Sequence, residues 1–310
     1  MELTGMKIFQ TYSGEHQRAY LADGVIPYDY SKNRGTEYEI FKAVNKNGHE
    51  YLRGMDAWGV LSWKFEVKCH VSLHQFQREA EQLLAEGADC VFINPMIGAE
   101  AVFSNVWEQG VACGHTGIEK MVPFLIERLY LRPADLFMPS DIFAFCNFFV
   151  ARKKFWCRYF DYVDSVLADL RLDARQGGAT GKLAEGPSYY SKNPSYTMTP
   201  FIVERLFSSF LPQSGLDVRS ISPDLAVYKA KFGALLGNTL HRLSMLKNCR
   251  GNDNYDLCID RWKELSQQLT LGRSFITLMH LDDPDIEIAT VGLAADRLNS
   301  EFSGSDTQNT

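Results

Sequence analysis

The sequence predicts an α/β fold in which a mostly parallel sheet is flanked by helices and followed by a helical C-terminal extension. Short apolar runs suited to buried strands alternate with segments whose apolar residues recur at helical spacing. The strongest run is residues 142–151, which is apolar except for Asn147 and leads through three basic residues into an amphipathic helix. We expect this run to be a central strand that is covered on both faces.

Three further strands are predicted from β-prone or buried apolar runs, at residues 6–12, 57–65 and 89–95. Helix starts are predicted from capping boxes, in which a Ser or Thr and a Glu or Gln three positions later satisfy each other's backbone N–H groups. The pairs are Thr36 with Glu39, Ser72 with Gln75, and Thr116 with Glu119. Pro123 is expected to bend the third of these helices or to delay its start.

The remaining elements are predicted to be mainly helical. Further helices are expected at residues 100–110, 155–170, 200–211, 223–248 and 255–271. Thr199 is the predicted N-cap of the third, with Pro200 at its first position. Residues 172–199 lose hydrophobic periodicity and predict a long loop, whereas residues 273–281 predict a last strand. We divide the chain into a first domain of residues 1–215, a helical extension of residues 216–298 and a polar tail of residues 299–310.

Composition limits the class of protein. The 310 residues carry a formal net charge of -6, which disfavours nucleic acid as a partner because phosphate binding needs a basic face. Seven scattered cysteines are typical of reduced core thiols in a cytoplasmic protein. The sequence predicts no signal peptide and no membrane-spanning run, so we expect a cytoplasmic location, with association at the inner face of the membrane left open. The oligomeric state is not indicated.

Polar residues follow the predicted strands, where α/β proteins bind ligands. Thr11, Tyr12, Lys64 and Asn94 occupy these strand ends. Asp29, between two tyrosines on the loop after the first strand, is a candidate for contacting a nucleobase or ribose, with solvent exposure as the alternative.

The basic turn after the strongest run is a candidate anion site. Arg152, Lys153 and Lys154 stand at a predicted helix start, where free backbone N–H groups favour negative charge. The alternative is that Asn147 is a core amide and that the three cations form a solvated turn.

Five motifs occur in order along residues 6–211: GVLSWKF, DCVFINP, FSNVWEQG, FCNFFVARKKFW and FIVERLFSSFL. Together they resemble bacterial glycosyltransferases from surface-polysaccharide gene clusters. The resemblance implies a GT-A-like, Rossmann-type fold and a nucleotide-sugar donor. It also implies sugar transfer to a hydroxyl of a saccharide acceptor, in cell-surface polysaccharide or lipopolysaccharide biosynthesis.

The resemblance has one departure, which concerns the metal. Metal-dependent GT-A enzymes hold a divalent ion with Asp-x-Asp after a central strand, but this sequence has Asn94-Pro95-Met96 there. We therefore expect no metal to be required, and we expect Asp283-Pro284-Asp285 to be a solvated turn. Without a metal, the leaving diphosphate needs cations, for which Lys64 and the basic turn are the candidates.

Glycosyl transfer with inversion also needs a group that accepts the acceptor proton. The candidates are Glu100, Glu108, Asp141, Glu204 and His115. We favour Asp141, at the mouth of the strongest run, over Glu108, although either could simply cap a helix. Asn147 is expected to face the substrate. Glu204 and Arg205 are either a structural pair or a substrate contact, and His115 is expected to be a loop histidine rather than a core residue.

Two other functions stay open. A non-catalytic scaffold with the same core could hold a glycan or a partner protein, and the missing Asp-x-Asp favours it. A sugar transferase acting on a modified nucleic-acid base is the second alternative, which the acidic charge disfavours.

Overall fold

The computed structural model describes residues 3–31, 36–188, 197–251 and 253–270. Its strands form one six-stranded sheet in the order β2-β1-β3-β5-β4-β6. They are β1 (Met6–Tyr12), β2 (Ile26–Asp29), β3 (Ala57–Ser62), β4 (Cys90–Ile93), β5 (Phe149–Arg152) and β6 (Val218–Ile221). Only β5 runs antiparallel to its neighbours within the described sheet. The predicted α/β class with a mostly parallel sheet is therefore confirmed.

Helices connect the strands and cover both faces of the sheet. They are α1 (Glu15–Arg18), α2 (Glu37–Asn47), α3 (His49–Leu52), α4 (Phe65–Cys69), α5 (Leu73–Ala85), α6 (Ile97–Val102), α7 (Val106–Ala112), α8 (Met121–Glu127), α9 (Lys153–Arg175), α10 (Ala179–Glu185), α11 (Thr199–Phe210), α12 (Leu225–Lys247) and α13 (Tyr255–Thr270). The apolar core on one face includes α4 and α5, and the larger core on the other includes α2, α9 and α11.

Local capping signals explain several helix starts. The Thr36 side chain accepts a hydrogen bond from Glu39 N, and Glu39 Oε2 accepts one from Thr36 N at 2.7 Å, which confirms the first capping box. Ser72 caps α5 as predicted, although the Gln75 side chain donates to Glu79 instead of returning to Ser72.

Three element boundaries differ from their predictions. The predicted helix at residues 100–110 is broken into α6 and α7, because Asn105 caps a new start. Gly117, not Thr116, precedes a 3-10 turn, so α8 starts only at Met121, in agreement with a start delayed around Pro123. The strand predicted at residues 57–65 ends at Ser62, and α4 begins at Phe65.

The prediction of a strand over residues 142–151 is largely wrong, since β5 spans only Phe149–Arg152. The preceding apolar residues form a buried loop whose backbone bonds to α11. Ala144 N donates to Ser208 Oγ at 2.9 Å, and Cys146 N donates to Glu204 Oε1 at 2.9 Å. Because polar side chains of a helix satisfy this backbone, the apolar run is buried without strand pairing.

The predicted loop at residues 172–199 is also wrong in its first half. There α9 continues to Arg175 and α10 follows it. The two helices approach so closely that a Cβ on Gly181 would lie 2.3 Å from Leu170 O. Gly181 therefore permits the close contact of α10 with α9. Because glycine disfavours helix formation, the sequence of α10 gives little indication of a helix. Residues 189–196 lie outside the described part of the chain.

The prediction of a helical C-terminal part is confirmed as far as the structure describes it, because α12 and α13 cover the two expected helices. The first of them is interrupted at Gly233, whose φ of 76° is not helical. The sheet extends past the predicted domain boundary at residue 215, since β6 pairs with β4. The predicted strand at residues 273–281, the Asp283-Pro284-Asp285 turn and the polar tail lie outside the described residues.

Candidate functional site

The candidate site lies where the parallel strands have their carboxyl ends, and we call this end of the sheet the carboxyl edge. The parallel strands all end at this edge, so the segments after β1, β3 and β4 converge there as predicted. Antiparallel β5 begins at the same edge. The loop that precedes β5, with Cys146 and Asn147, therefore lies among the ends of the other strands.

Asn147 is held at this edge by a strained backbone. Cys146 and Asn147 have φ angles of 62° and 49°, so both adopt the left-handed conformation that non-glycine residues seldom occupy. Such conformations cost of the order of 1–3 kcal/mol each and persist only where neighbours fix them. Here the hydrogen bond from Cys146 N to Glu204 helps to fix the loop. With the backbone in this conformation, the Asn147 side chain reaches Glu37 on α2.

Glu37 is the partner of that side chain. Asn147 Nδ2 donates to Glu37 Oε2 at 2.7 Å, and Asn147 is only 3% exposed. Burial of the carboxyl group raises the pKa of Glu37 to about 8, and the neighbouring Glu204 raises it further, whereas the Asn147 hydrogen bond and Lys68 oppose the rise. Glu37 thus holds or releases a proton near neutral pH.

A cavity of about 200 Å³ opens beside these groups, and we call it the Asn147 cavity. It is lined by Thr36, Glu37, Tyr38, Asn147, Pro200, Phe201, Val203 and Glu204. Asn147 Oδ1 is buried and accepts no hydrogen bond from the described part of the chain. Two carboxyl-bearing residues and one amide, whose carbonyl oxygen has no donor among the described residues, therefore line a space that a substrate hydroxyl could enter.

Lysines supply positive charge at the same edge. Lys68 lies one helical turn after Lys64, and its Nζ contacts Cys146 Sγ at 3.5 Å. Lys231 Nζ donates to Pro95 O at 2.7 Å and to Lys68 O at 3.2 Å. Lys64 was predicted from the sequence; Lys68 and Lys231 were not.

The basic turn lies at the opposite edge. Because β5 is antiparallel, its end pairs with the start of β3, and Arg152 Nη2 and Nε donate to Leu84 O and Ala88 O at 2.7 and 3.0 Å. Lys154 pairs with Asp89 at 3.4 Å. The expected placement of Arg152, Lys153 and Lys154 at the ligand-binding edge is therefore wrong, and Arg152 ties β5 to the end of α5.

The two favoured bases lie outside the Asn147 cavity. Asp141 is exposed on a turn. Glu108 is exposed on α7, where its Oε2 accepts hydrogen bonds from Ser104 N and Ser104 Oγ. Glu108 is thus part of a helix cap, which was the alternative for this residue. Glu100 is buried behind a second cavity at the sheet edge.

His115 and Arg205 are core residues. His115 is 6% exposed and packs on the Phe201 ring at 4.5 Å, so the expectation that it is not a core residue is wrong. Burial, helped by the nearby Arg205 guanidinium, lowers the pKa of His115 to about 3. Arg205 donates to Val106 O and Gln109 Oε1 and so ties α11 to α7.

Arg205 and Glu204 differ in the exposure of their side chains. The Arg205 side chain is 1% exposed, whereas that of Glu204 is 25% exposed, reaches the Asn147 cavity and lies 3.9 Å from the Arg205 guanidinium. Arg205 is accordingly structural, and Glu204 is available to a substrate.

The remaining predicted residues lie at the carboxyl edge in separate places. Thr11 Oγ1 donates to Leu61 O at 3.3 Å inside the sheet. Tyr12 ends β1. Asp29 was expected on a loop, but it ends strand β2, where its Oδ1 accepts a hydrogen bond from Ser31 N. Asn94 Oδ1 accepts from Met96 N at 3.0 Å and forms the turn after β4.

Sequence reasoning missed Glu37. The available signal was its place at the first position of α2 beside the Thr36 cap, which by itself indicates only a favourable helix start. Its contact with Asn147, 110 positions away, depends on the whole sheet.

Comparisons with known proteins identify no family: no protein-family model, curated protein or solved structure matches the chain. Within the described residues, no three His, Cys, Asp or Glu side chains are grouped as metal ligands, and no helix is long and apolar enough to cross a membrane. No disulfide bond joins any of the seven cysteines, all of which lie in the described part of the chain; Cys69 and Cys90 are buried, and Cys157 is exposed.

Proposed function

We propose that the protein is a glycosyltransferase with a GT-A-like fold, which moves a sugar from a nucleotide-sugar donor to a hydroxyl of a saccharide acceptor in cell-surface polysaccharide or lipopolysaccharide biosynthesis. The observation that carries this proposal is the Asn147 cavity. Two of the five motifs meet there, because FCNFFVARKKFW contains Asn147 and FIVERLFSSFL contains Glu204. Converging polar groups at the end of a mostly parallel sheet favour an enzyme over a scaffold.

Glu37 is the general base in this proposal, in place of Asp141. A base works best when its pKa is close to the working pH, and that of Glu37 is about 8. The ionised carboxylate takes the proton of the acceptor hydroxyl as the oxygen bonds to the sugar carbon. The bond from that carbon to the diphosphate breaks, and the diphosphate leaves with its electron pair.

Asn147 and Glu204 position the reactants. The Asn147 amide donates to Glu37 and thereby orients the carboxyl group, while its carbonyl is available to a substrate hydroxyl. Glu204 accepts from Cys146 N and so supports the strained loop from the other wall of the cavity. Both residues hold groups in place before reaction, which is where much of the rate enhancement of an enzyme arises.

Lys64 and Lys68 are the cations that we assign to the leaving diphosphate. They belong to the segment after β3, at the edge to which the motif GVLSWKF leads. Cations close to a developing phosphate charge stabilise the transition state. The proposal therefore moves the phosphate-binding role from the basic turn to α4.

The test is a panel of UDP-, GDP- and CMP-sugars, measured for binding by calorimetry and for release of the nucleotide with saccharide acceptors. We expect Glu37→Gln to lower turnover about 100-fold or more, since general-base catalysis contributes that much. Asp141→Asn, an exposed acid outside the cavity, is the matched control and should retain activity. The proposal fails if no nucleotide binds at millimolar concentration, and glycan binding without nucleotide binding would favour the scaffold.

A further inference from the structure

A second cavity of about 210 Å³ opens at the carboxyl edge, between the ends of β4 and β6 and the α12 helix. We call it the Glu100 cavity. Its walls include Asn94, Glu100, Ser220, Ser222, Tyr228 and Met245. None of these residues lines the Asn147 cavity.

Glu100 is a buried carboxylate, and one of its two oxygens has no hydrogen-bond donor among the described residues. The side chain is 2% exposed, and its Oε2 accepts a hydrogen bond from Ser244 Oγ at 2.8 Å. Its Oε1 accepts no hydrogen bond from the described residues. A buried carboxylate oxygen without a donor is costly, so a ligand that donates a hydrogen bond would bind favourably here.

Lys247 does not donate a hydrogen bond to Glu100 Oε1. Its Nζ lies 4.0 Å from Glu100 Oε1 and instead donates to Glu100 O and Phe103 O at 2.6 and 2.7 Å. The ammonium group also lies 4.4 Å from the centre of the Phe143 ring. Lys247 thus balances the charge of Glu100 and ties α12 to the end of α6, but it makes no hydrogen bond to Oε1.

The charge and chemistry of the walls define the ligand. Since Lys247 already balances Glu100, a second cation in the cavity would lose hydration without gaining an unbalanced negative charge. The serine and Tyr228 hydroxyls are hydrogen-bonding groups, and the Tyr228 hydroxyl also interacts with Glu100, whereas the Tyr228 ring and the Met245 side chain offer apolar surface. This mixture suits a neutral ring that carries several hydroxyl groups.

We propose that the Glu100 cavity binds a neutral sugar ring, with Glu100 Oε1 accepting a hydrogen bond from one of its hydroxyls. The site does not depend on the transfer reaction assigned to the Asn147 cavity, because a protein that only held a glycan could use it in the same way.

Methyl NMR of the full chain tests this site. Met245 is 62% exposed and lines the cavity, so its methyl signal, assigned with Met245→Leu, reports occupancy. The probes are glucose, galactose and mannose as neutral sugars and glucosamine as the charged counterpart. We expect a saturable shift with at least one neutral sugar, and weaker binding of glucosamine than of glucose.

Two variants make the result specific. Glu100→Gln should weaken binding about 10-fold or more, the loss expected for a hydrogen bond to a charged group. Ser222→Trp leaves the buried pair intact and should block the cavity, because Ser222 is exposed and lines it. It keeps the test valid if Glu100→Gln does not fold. Ser165→Trp, on an exposed part of α9, is the matched control and should bind as wild type does.

The site is refuted if no neutral sugar gives a saturable Met245 shift at high millimolar concentration, which would leave the cavity to water. It is equally refuted if both variants bind as wild type does, or if glucosamine binds more tightly than glucose. Nucleotide-sugar turnover that persists in Ser222→Trp would separate a failure here from a failure of the proposed function.

Discussion

Replacing Glu37 with glutamine should make the protein more stable at neutral pH, and increasingly so as the pH rises. Glutamine resembles the protonated carboxyl group but has no charge to lose. The folded pKa of Glu37 is raised to about 8 from an ordinary value of 4.5, so the folded state favours the proton. The wild-type protein therefore loses stability as the pH rises from about 4.5 through about 8, whereas Glu37→Gln does not.

The size of the effect follows from the two pKa values. Between pH 4.5 and pH 7 the unfolded carboxyl group is ionised while the folded one stays mostly protonated. Each pH unit in that interval changes the free energy of unfolding by about 1.4 kcal/mol. Glu37→Gln should accordingly gain about 3 kcal/mol relative to wild type between pH 4 and pH 7. The gain should approach its plateau just above pH 8.

Urea unfolding of both proteins at several pH values measures this difference. Every other titrating group is common to the two proteins, so the difference isolates Glu37. Glu119→Gln, which removes an exposed glutamate on the 3-10 turn before α8, is the control and should run parallel to wild type. If the curves of Glu37→Gln and wild type are also parallel from pH 4 to pH 8, Glu37 has an ordinary pKa and loses its role as a base.

Three further outcomes are expected. Arg152→Ala should lower the free energy of unfolding in urea by about 1–3 kcal/mol, because Arg152 donates a hydrogen bond to the backbone of Ala88. Turnover of the folded protein should stay unchanged. A loss of turnover without a loss of stability would contradict this expectation. Gly181→Ala should lower the melting temperature, because its Cβ would lie 2.3 Å from Leu170 O, and an unchanged melting temperature would mean that α9 and α10 separate easily. Turnover should survive EDTA, and activity that is lost and then restored by Mn²⁺ or Mg²⁺ would disprove metal independence.

The sequence predicted the elements that depend on local signals. Residues that are close together in the sequence determine the Thr36 cap, the apolar stripe of α9 and the buried strand β4. The predicted positions of these three elements are confirmed. The loop before β5 could not be predicted in this way. Its apolar residues look like a strand, but part of its backbone is satisfied by the side chains of Ser208 and Glu204, some 60 positions later.

The candidate site was predictable only in part for the same reason. Asn147 and Glu204 were found because each stands out as a polar residue in an apolar segment. Glu37 carries no such signal, since a glutamate at a helix start is common. Its importance appears only when the fold buries it against Asn147 and shifts its pKa.

The antiparallel direction of β5 explains why Asn147 lies at the candidate site and why Arg152 does not. If β5 ran parallel to its neighbours, Arg152 would end at the ligand edge and Asn147 would lie at the other side of the sheet. The antiparallel direction exchanges these two positions. It brings Asn147 to Glu37, and it makes the lysines that follow β3 the cations assigned to the diphosphate in the proposed function. A single strand direction, which hydrophobic patterning does not encode, thus decides which end of the most apolar segment belongs to the site.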